Sequence, residues 1–314
     1  MIIQNTTTLR EYISVNGSVD IDNLKPYLKK AERNFLKPII GLDQISVFEE
    51  TQTDTIIVQA QELAQEAIAN FAYYLYLPIN AVQITDNGIH VVDNENTKTA
   101  TDKQFKELQR SFKKFAHEAL DELLELMELS ADKFQPWFNS KHYTIYKELL
   151  VNKTSVFNKY YYIFNSRQTF ISLKPNLKIV EDQFISPVLG SLLLTALKDN
   201  QNIAERKEVK QLLQQSIIAF TVMKTVDNGL FTLDAKGMHM RFDVLPYEKV
   251  VTNVNLKVND FLTRTKSNKK IEGEEYLKAA LKIIENNLEK FSEFTTKAPQ
   301  TRVKITNTKS IIGL

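Results

Sequence analysis

The sequence predicts a mainly α-helical protein: two tandem copies of a helical-bundle unit, each with a short β-hairpin. Three observations predict it. The stretch "LKPYLKKAERNFLKPIIG" (Leu24–Gly41) returns as "LKPNLKIVEDQFISPVLG" (Leu173–Gly190). Apolar residues recur at three- and four-residue spacing through most of the chain, the helical signature. With only 8 Gly and 8 Pro in 314 residues, few positions are available for tight turns.

The two copies align without a gap. Leu24, Lys25, Pro26, Leu28, Lys29, Glu32, Phe35, Pro38 and Gly41 meet identical residues 149 positions later, 9 of 18 in the stretch, where unrelated sequences share roughly one. At the same offset "LAQEAIANF" (Leu63–Phe71) lies over "LLQQSIIAF" (Leu212–Phe220), and Gly88–His90 over Gly237–His239. Three matches in register mark internal duplication.

The first helix of each copy carries Leu24, Leu28, Ala31, Phe35 and Ile39 on one face, with Asp22 or Asn23 as N-cap. Pro26 fits a first turn, where no intrahelical partner awaits its N–H. Pro38 does not fit a helix interior, so the helix should break or kink near Lys37 and stop at Gly41. In the second copy Ser172 is the expected cap, Pro175 the early proline, Pro187 the break and Gly190 the stop. Phe35 and Phe184 occupy one apolar position in both. A second helix follows at 56–77 and 203–226. Then come hairpins around Asn87-Gly88, a strong two-residue turn signal, and around Asp234–Gly237.

A long third helix places Phe105, Leu108, Phe112, Phe115, Ala119, Leu123 and Leu126 along one seam. A fourth is expected over 132–150. The second half offers 248–265 and 274–294, parted by the polar "TKSNKKIEGE". Between the halves "NKTSVFNKYYYIFNSRQTF" reads as an ordered linker or strand, since four aromatics in five residues are foreign to a floppy tether. The expected division is 1–153 and 154–294 for the two units, then a basic tail over 295–314.

Composition excludes several classes of chemistry. The chain has no cysteine, hence no disulfide and no thiolate site. Phosphate-loop, dinucleotide, HExxH and GxSxG patterns are absent, and no cofactor or metal is expected. No stretch suits a membrane span, and the N-terminus lacks a signal-peptide pattern. The four histidines (His90, His117, His142 and His239) are nowhere three or four residues apart. His90 and His239 occupy equivalent hairpin positions, read as strand residues of common descent in preference to a paired ligand site or pH switch. Glu32 and Glu181, near Lys29 and Lys178, read as exposed helix carboxylates.

Charge is unevenly spread. Residues 1–150 hold 15 basic against 22 acidic side chains, the remainder 25 against 16. Basic clusters fall at Arg110–Phe115, whose phenylalanines belong to the core seam, and at Arg264–Lys270, expected in a loop. Arg264, Lys266, Lys269 and Lys270, with Lys297, Arg302, Lys304 and Lys309 of the tail, are the candidate contacts to DNA or a partner.

The pattern "LxxxLxxAExxFxxxIIG", then "AxxLAxxAIxxFxYYLYLP", then a hairpin and more helix resembles the head–tail connector (adaptor) proteins of tailed bacteriophages. The two-copy arrangement, with "NSRQTFISLKP" at its junction, is similar to an uncharacterised family encoded beside capsid genes in phages and prophages of Bacteroidetes-type bacteria. The resemblance implies a non-enzymatic virion protein, made in the bacterial cytoplasm and placed at the capsid–tail junction. Its partners would be further copies in a ring (about twelve by the resemblance), the portal protein, tail or neck proteins, and DNA passing through the channel. Two other readings stay open: a soluble helical enzyme with a site between the halves, and a DNA-binding module using the basic C-terminal region.

Overall fold

The computed structural model describes residues 1–14, 20–85, 88–90, 100–199, 202–226, 231–234, 237–240, 245 and 256–294. Its first half runs α1 (Thr6–Tyr12), α2 (Ile21–Ala31), a π turn (Glu32–Leu36), α3 (Lys37–Ile40), α4 (Leu42–Glu49) and α5 (Thr55–Asn80). Strands β1 (Gln83–Thr85) and β2 (Gly88–His90) follow, then α6 (Asp102–Leu129), α7 (Gln135–Phe138), a 3-10 turn (Lys141–Tyr143) and α8 (Ile145–Glu148). The second half runs α9 (Thr154–Tyr160), α10 (Arg167–Val180), a π turn (Glu181–Ile185), α11 (Ser186–Leu189), α12 (Ser191–Lys198) and α13 (Ala204–Thr225). It ends with strands β3 (Phe231–Asp234) and β4 (Gly237–Met240), α14 (Leu256–Asn286) and a 3-10 turn (Leu288–Lys290). The fold is mainly α. Each strand pair is antiparallel, with Ile84 opposite Ile89 and Thr232 opposite His239.

One continuous core links the helices, from Ile3 and Leu24 through Phe71 and Leu123 to Phe170, Phe220 and Phe291. Helices α5 and α6 pack along each other in the first half, as α13 and α14 do in the second. Among the described residues no single helix is long and apolar enough to cross a membrane. Residues Arg167–Leu189 and Ser191–Lys198 reach that hydropathy only as a pair bent by 115°, and Phe170, Leu173, Leu177, Leu193 and Leu197 among them are core residues.

Several sequence expectations are corrected. Helix α2 begins at Ile21, because Asp20, not Asp22 or Asn23, accepts the N–H of Asp22 as its cap. Pro26 therefore lies in the second turn. Helix α10 begins at Arg167, capped by Ser166 on Thr169 and not by Ser172, which puts Pro175 deeper still. Nor does the helix break at Lys37. The N–H of Lys37 reaches back five residues to Glu32, and Pro38 opens the short α3 on the far side. A π turn holds one extra residue, which spares the proline ring the clash it would meet in regular α geometry. Pro187 sits in the same way after Glu181–Ile185.

The helix expected over 132–150 is instead three short turns, α7, a 3-10 turn and α8, because Pro136 lacks an amide donor and Ser140 caps a new turn at His142. In α6, Leu108 and Phe115 are 46% and 48% exposed, so the expected seam is only partly core. Helix packing shifted the buried stripe to Gln109, Ala116, Leu120, Leu123, Leu124 and Met127. The supposed linker holds α9 and the first turn of α10, not a strand.

Helix α14 runs unbroken through Arg264–Lys270 and Gly273, where a polar loop was expected. Gly273 is needed for packing: a Cβ there would lie 2.7 Å from the Phe220 ring, and its carbonyl accepts the Ser216 hydroxyl at 2.8 Å. The early part of the expected 248–265 helix and the whole tail lie outside the described residues, as do the side chains of His90 and His239.

Candidate functional site

Two corners with one geometry dominate the candidate residues. At each, a glycine with φ of 82° joins two short helices, Gly41 between α3 and α4 and Gly190 between α11 and α12. A residue with a Cβ is strained at such a φ. Just upstream, Phe35 stacks on Phe71 (centroids 3.9 Å apart) and Phe184 stacks on Phe220 (4.6 Å). Phe71 and Phe220 are themselves 149 residues apart, so one packing interaction occurs twice.

The π turns carry a second shared device. Glu32 accepts the backbone N–H of Ile2 at 2.7 Å, and Gln65 donates its amide to the carbonyl of Ile2 at 3.3 Å. Glu181 accepts the N–H of Leu150 at 2.5 Å, and Gln214 donates to the carbonyl of Leu150 at 3.0 Å. Each half thus grips both backbone polar groups of one buried residue, which satisfies a peptide that has no ladder partner. The gripped segments are buried at Ile2, Ile3, Leu149, Leu150 and Val151. Helices α1 and α9 follow them directly. Glu181 is 1% exposed, which corrects its reading as a surface carboxylate. Its lysine partner is Lys198 at 2.8 Å, while Lys178 pairs with Asp182.

The junction between the halves forms a third feature. Phe164 and Asn165 both adopt left-handed φ, at 57° and 54°. The Asn158 side chain accepts the N–H groups of Ile163 and Asn165 at 2.9 and 3.1 Å and holds that turn. Arg167, 5% exposed, donates to Glu125 at 2.9 Å, to Glu128 at 3.3 Å and to the Asn165 carbonyl at 2.7 Å. These bonds fasten the start of α10 to α6.

Alongside lies a cleft of about 570 Å³ bordered by Lys114, His117, Glu118, Asp121, Phe164 and Gln168. Gln168 spans it. Its amide nitrogen donates to the His117 carbonyl at 2.7 Å and to Asp121 at 3.3 Å. Its oxygen therefore faces Nδ1 of His117, 2.7 Å away, and that nitrogen carries the proton. Burial pushes His117 down to about 4, against the pull of the Gln168 bond and with help from the Lys113 charge. Burial raises the Asp121 carboxyl, outweighing the hydrogen bonds from Gln168. The ring of His117 meets Phe71 edge-on at 4.9 Å, so it ties the first corner's stacked pair to α10.

Four of the basic candidates lie on α14. On α14, Lys269 pairs with Glu272 at 2.6 Å and lies 5.2 Å from the Tyr161 ring centroid. Arg264 donates to the Asp260 carbonyl within its own helix at 3.3 Å, and Arg264, Lys266 and Lys270 are exposed. Lys297, Arg302, Lys304 and Lys309 lie outside the described residues. Among the described residues no group of three or more His, Asp or Glu is placed to hold a metal ion.

His117 and Asp121 belong to no motif, and Gln168 stands in the junction stretch without any pattern that marks it as a site residue. The gripping pairs did leave a trace. Glu32/Glu181 and Gln65/Gln214 are polar identities inside otherwise apolar matches.

Residues 24–147 match the model of a family of unknown function (DUF6712). The match starts in α2 and ends in α8, within the first half. No curated protein and no solved structure matches the chain.

Proposed function

We propose that this chain is a structural virion protein: a head–tail connector built from two tandem copies of one helical unit, each with its β-hairpin. It would form a homo-oligomeric ring between portal and tail around the DNA channel. The observation that carries the reading is the doubled grip, Glu32 with Gln65 on Ile2 and Glu181 with Gln214 on Leu150. The gripping residues are matched at the 149-residue offset, and the residues they hold, Ile2 and Leu150, at an offset one residue shorter. This correspondence supports descent of both halves from one unit, and that tandem build underlies the resemblance to connectors. The second copy then begins near Leu149, since α9 repeats the length of α1 after an equivalent gripped segment.

A ring of identical copies needs two different surfaces that fit each other. Leu108, Phe115 and Leu129 on α6, with Phe261 and Ile271 on α14, are exposed apolar side chains suited to such surfaces. The acidic first half and basic second half suit head-to-tail contact. In the cleft, Gln168 bonds to both His117 and Asp121, which supports a positioning role for the three.

Negative-stain microscopy of the protein, alone and mixed with the portal of its phage, tests the reading. Closed rings are expected; single copies under both conditions would sink it.

The cleft between α6 and α10 favours one competing reading, an enzyme with its site between the halves. That reading requires a ligand to displace Gln168 from His117, which imidazole proton spectra in the presence of candidate substrates would reveal.

A further inference from the structure

We infer that the cleft beside the Gly41 corner is a binding site for a phosphomonoester, a small ligand carrying a doubly charged phosphate. The inference stands independently of the connector reading.

The cleft holds about 680 Å³, within the roughly 300–1,000 Å³ of small-molecule pockets, and lies where α3 and α4 meet the 3-10 turn at Lys141. Three cations border it: Arg33 from the first π turn, Lys37 at the start of α3, and Lys141. Among the described residues, none of these three side chains forms an ion pair or a hydrogen bond. Lys133, Lys178, Lys198 and Lys290, by contrast, all have carboxylate partners.

Arg33 and Lys37 stand four residues apart, a spacing at which like charges on a helix repel each other. One carboxylate, Asp43, also borders the cleft, which leaves two positive charges in excess. A phosphomonoester carries about −1.5 to −2 near pH 7 and matches that excess. A carboxylate or a phosphodiester brings only a single charge.

The corner itself does not require these cations. The second corner has the same glycine φ of 82° after an equivalent π turn, yet Asp182 stands in place of Arg33 and Ser186 in place of Lys37. Asp182 is paired there with Lys178 at 2.8 Å. The charges of the first corner are thus an addition to a shared frame.

That frame also holds them in place. Ser140 accepts the His142 N–H at 3.1 Å, and the His142 ring bonds to the Pro38 carbonyl at 2.8 Å, which fixes the turn that carries Lys141. His142 borders the cleft too, and its Nε2 can donate to a phosphate when protonated. Pro38, Pro136 and Leu42, the last 56% exposed, give the ester group an apolar wall.

Isothermal titration of the full chain with phenyl phosphate tests this. Submillimolar binding is expected, at least about tenfold tighter than that of benzoate, which offers the same ring with a single charge. The Arg33→Asp/Lys37→Ser variant carries the residues that the second corner has at these places, so its fold should hold. It should bind at least about tenfold more weakly. Lys141→Ala, altered on an exposed turn, should weaken binding as well. Lys103→Ser removes an exposed cation outside the cleft and should leave the affinity unchanged.

Four results would overturn the inference. One is no binding of phenyl phosphate in the millimolar range. Another is benzoate binding as tightly. A third is an unchanged affinity in either cleft variant. The last is equal weakening by Lys103→Ser, which would reduce the effect to general charge attraction.

Discussion

The carboxylate of Glu181 and the backbone of Leu150 are joined by a 2.5 Å hydrogen bond inside the core, where Glu181 is only 1% exposed. The same carboxylate takes Lys198 at 2.8 Å. Removing it strands the buried N–H of Leu150 and takes the carboxylate from a largely buried Lys198 ammonium, which keeps only the Glu148 carbonyl. Glu181→Ala should cost about 3–5 kcal/mol, the range for breaking a buried pair from one side. Glu32→Ala strands only the Ile2 amide and should cost about 1–2 kcal/mol. Urea denaturation of both variants measures the difference, and equal losses would contradict this account of the two turns.

The corner glycines should respond unequally to one change. Gly41→Ala and Gly190→Ala each force a Cβ into φ of 82°, a strain of about 1–3 kcal/mol. At Gly41 the new Cβ also presses on His142, at 3.0 Å, whereas at Gly190 it meets no described residue within 4 Å. The Gly41 variant should melt lower than the Gly190 variant in calorimetry. Restoring room with His142→Ala should close most of that gap.

Stability should rise with pH between about 4 and 6.5 on account of His117. Its folded value lies near 4 against an ordinary 6.5, with burial the chief cause. In that window the unfolded chain binds more protons than the folded one, so folding is favoured as pH rises and weakened as pH falls. Asp121 works the other way: its raised folded value makes the folded chain the better proton binder above the ordinary carboxylate range, so it loses stability as pH rises. His117→Gln should flatten the rise between pH 4 and 6.5 in denaturation curves while leaving the Asp121 slope.

Gln44 lies 1% exposed on α4, and neither end of its side-chain amide has a hydrogen-bond partner among the described residues. The matching position in the second half is Leu193, fully buried. Gln44→Leu should therefore stabilise the chain by about 1–3 kcal/mol, the cost of burying an unpaired polar group. A lower melting temperature for this variant would show that the site needs an amide.

Much of the helical order was legible because it rests on local signals. The α5 and α13 helices announce themselves by apolar spacing, and Gly41 and Gly190 by an offset that repeats. What the sequence hid depends on longer-range physics. No local pattern distinguishes a π turn at Glu32 from a kink at Lys37, because the choice is made by Pro38 together with the buried grip on Ile2. Gly273 looked like a loop residue, yet it lies in the middle of α14 because Phe220 leaves no room for a Cβ. Phe115 looked like core because its spacing fits the seam, but the packing of α6 against α5 turned it to the surface. The cleft residues were illegible for a related reason. His117 and Gln168 are 51 positions apart in sequence and meet only because Phe164 and Asn165 reverse the chain.

The π turns have a consequence for how this chain can change in length. A π turn is an α-helix carrying one surplus residue, and that residue rotates everything after it by about 100°. Deleting Asn34 would let Glu32–Leu36 relax to ordinary helix, swinging Pro38 and Gly41 away from His142. Adding a residue would widen the turn and loosen Phe35 from Phe71. At these two places, insertion or deletion of one residue acts as a change of direction, so descendants of this chain can exchange side chains there far more readily than they can alter its length.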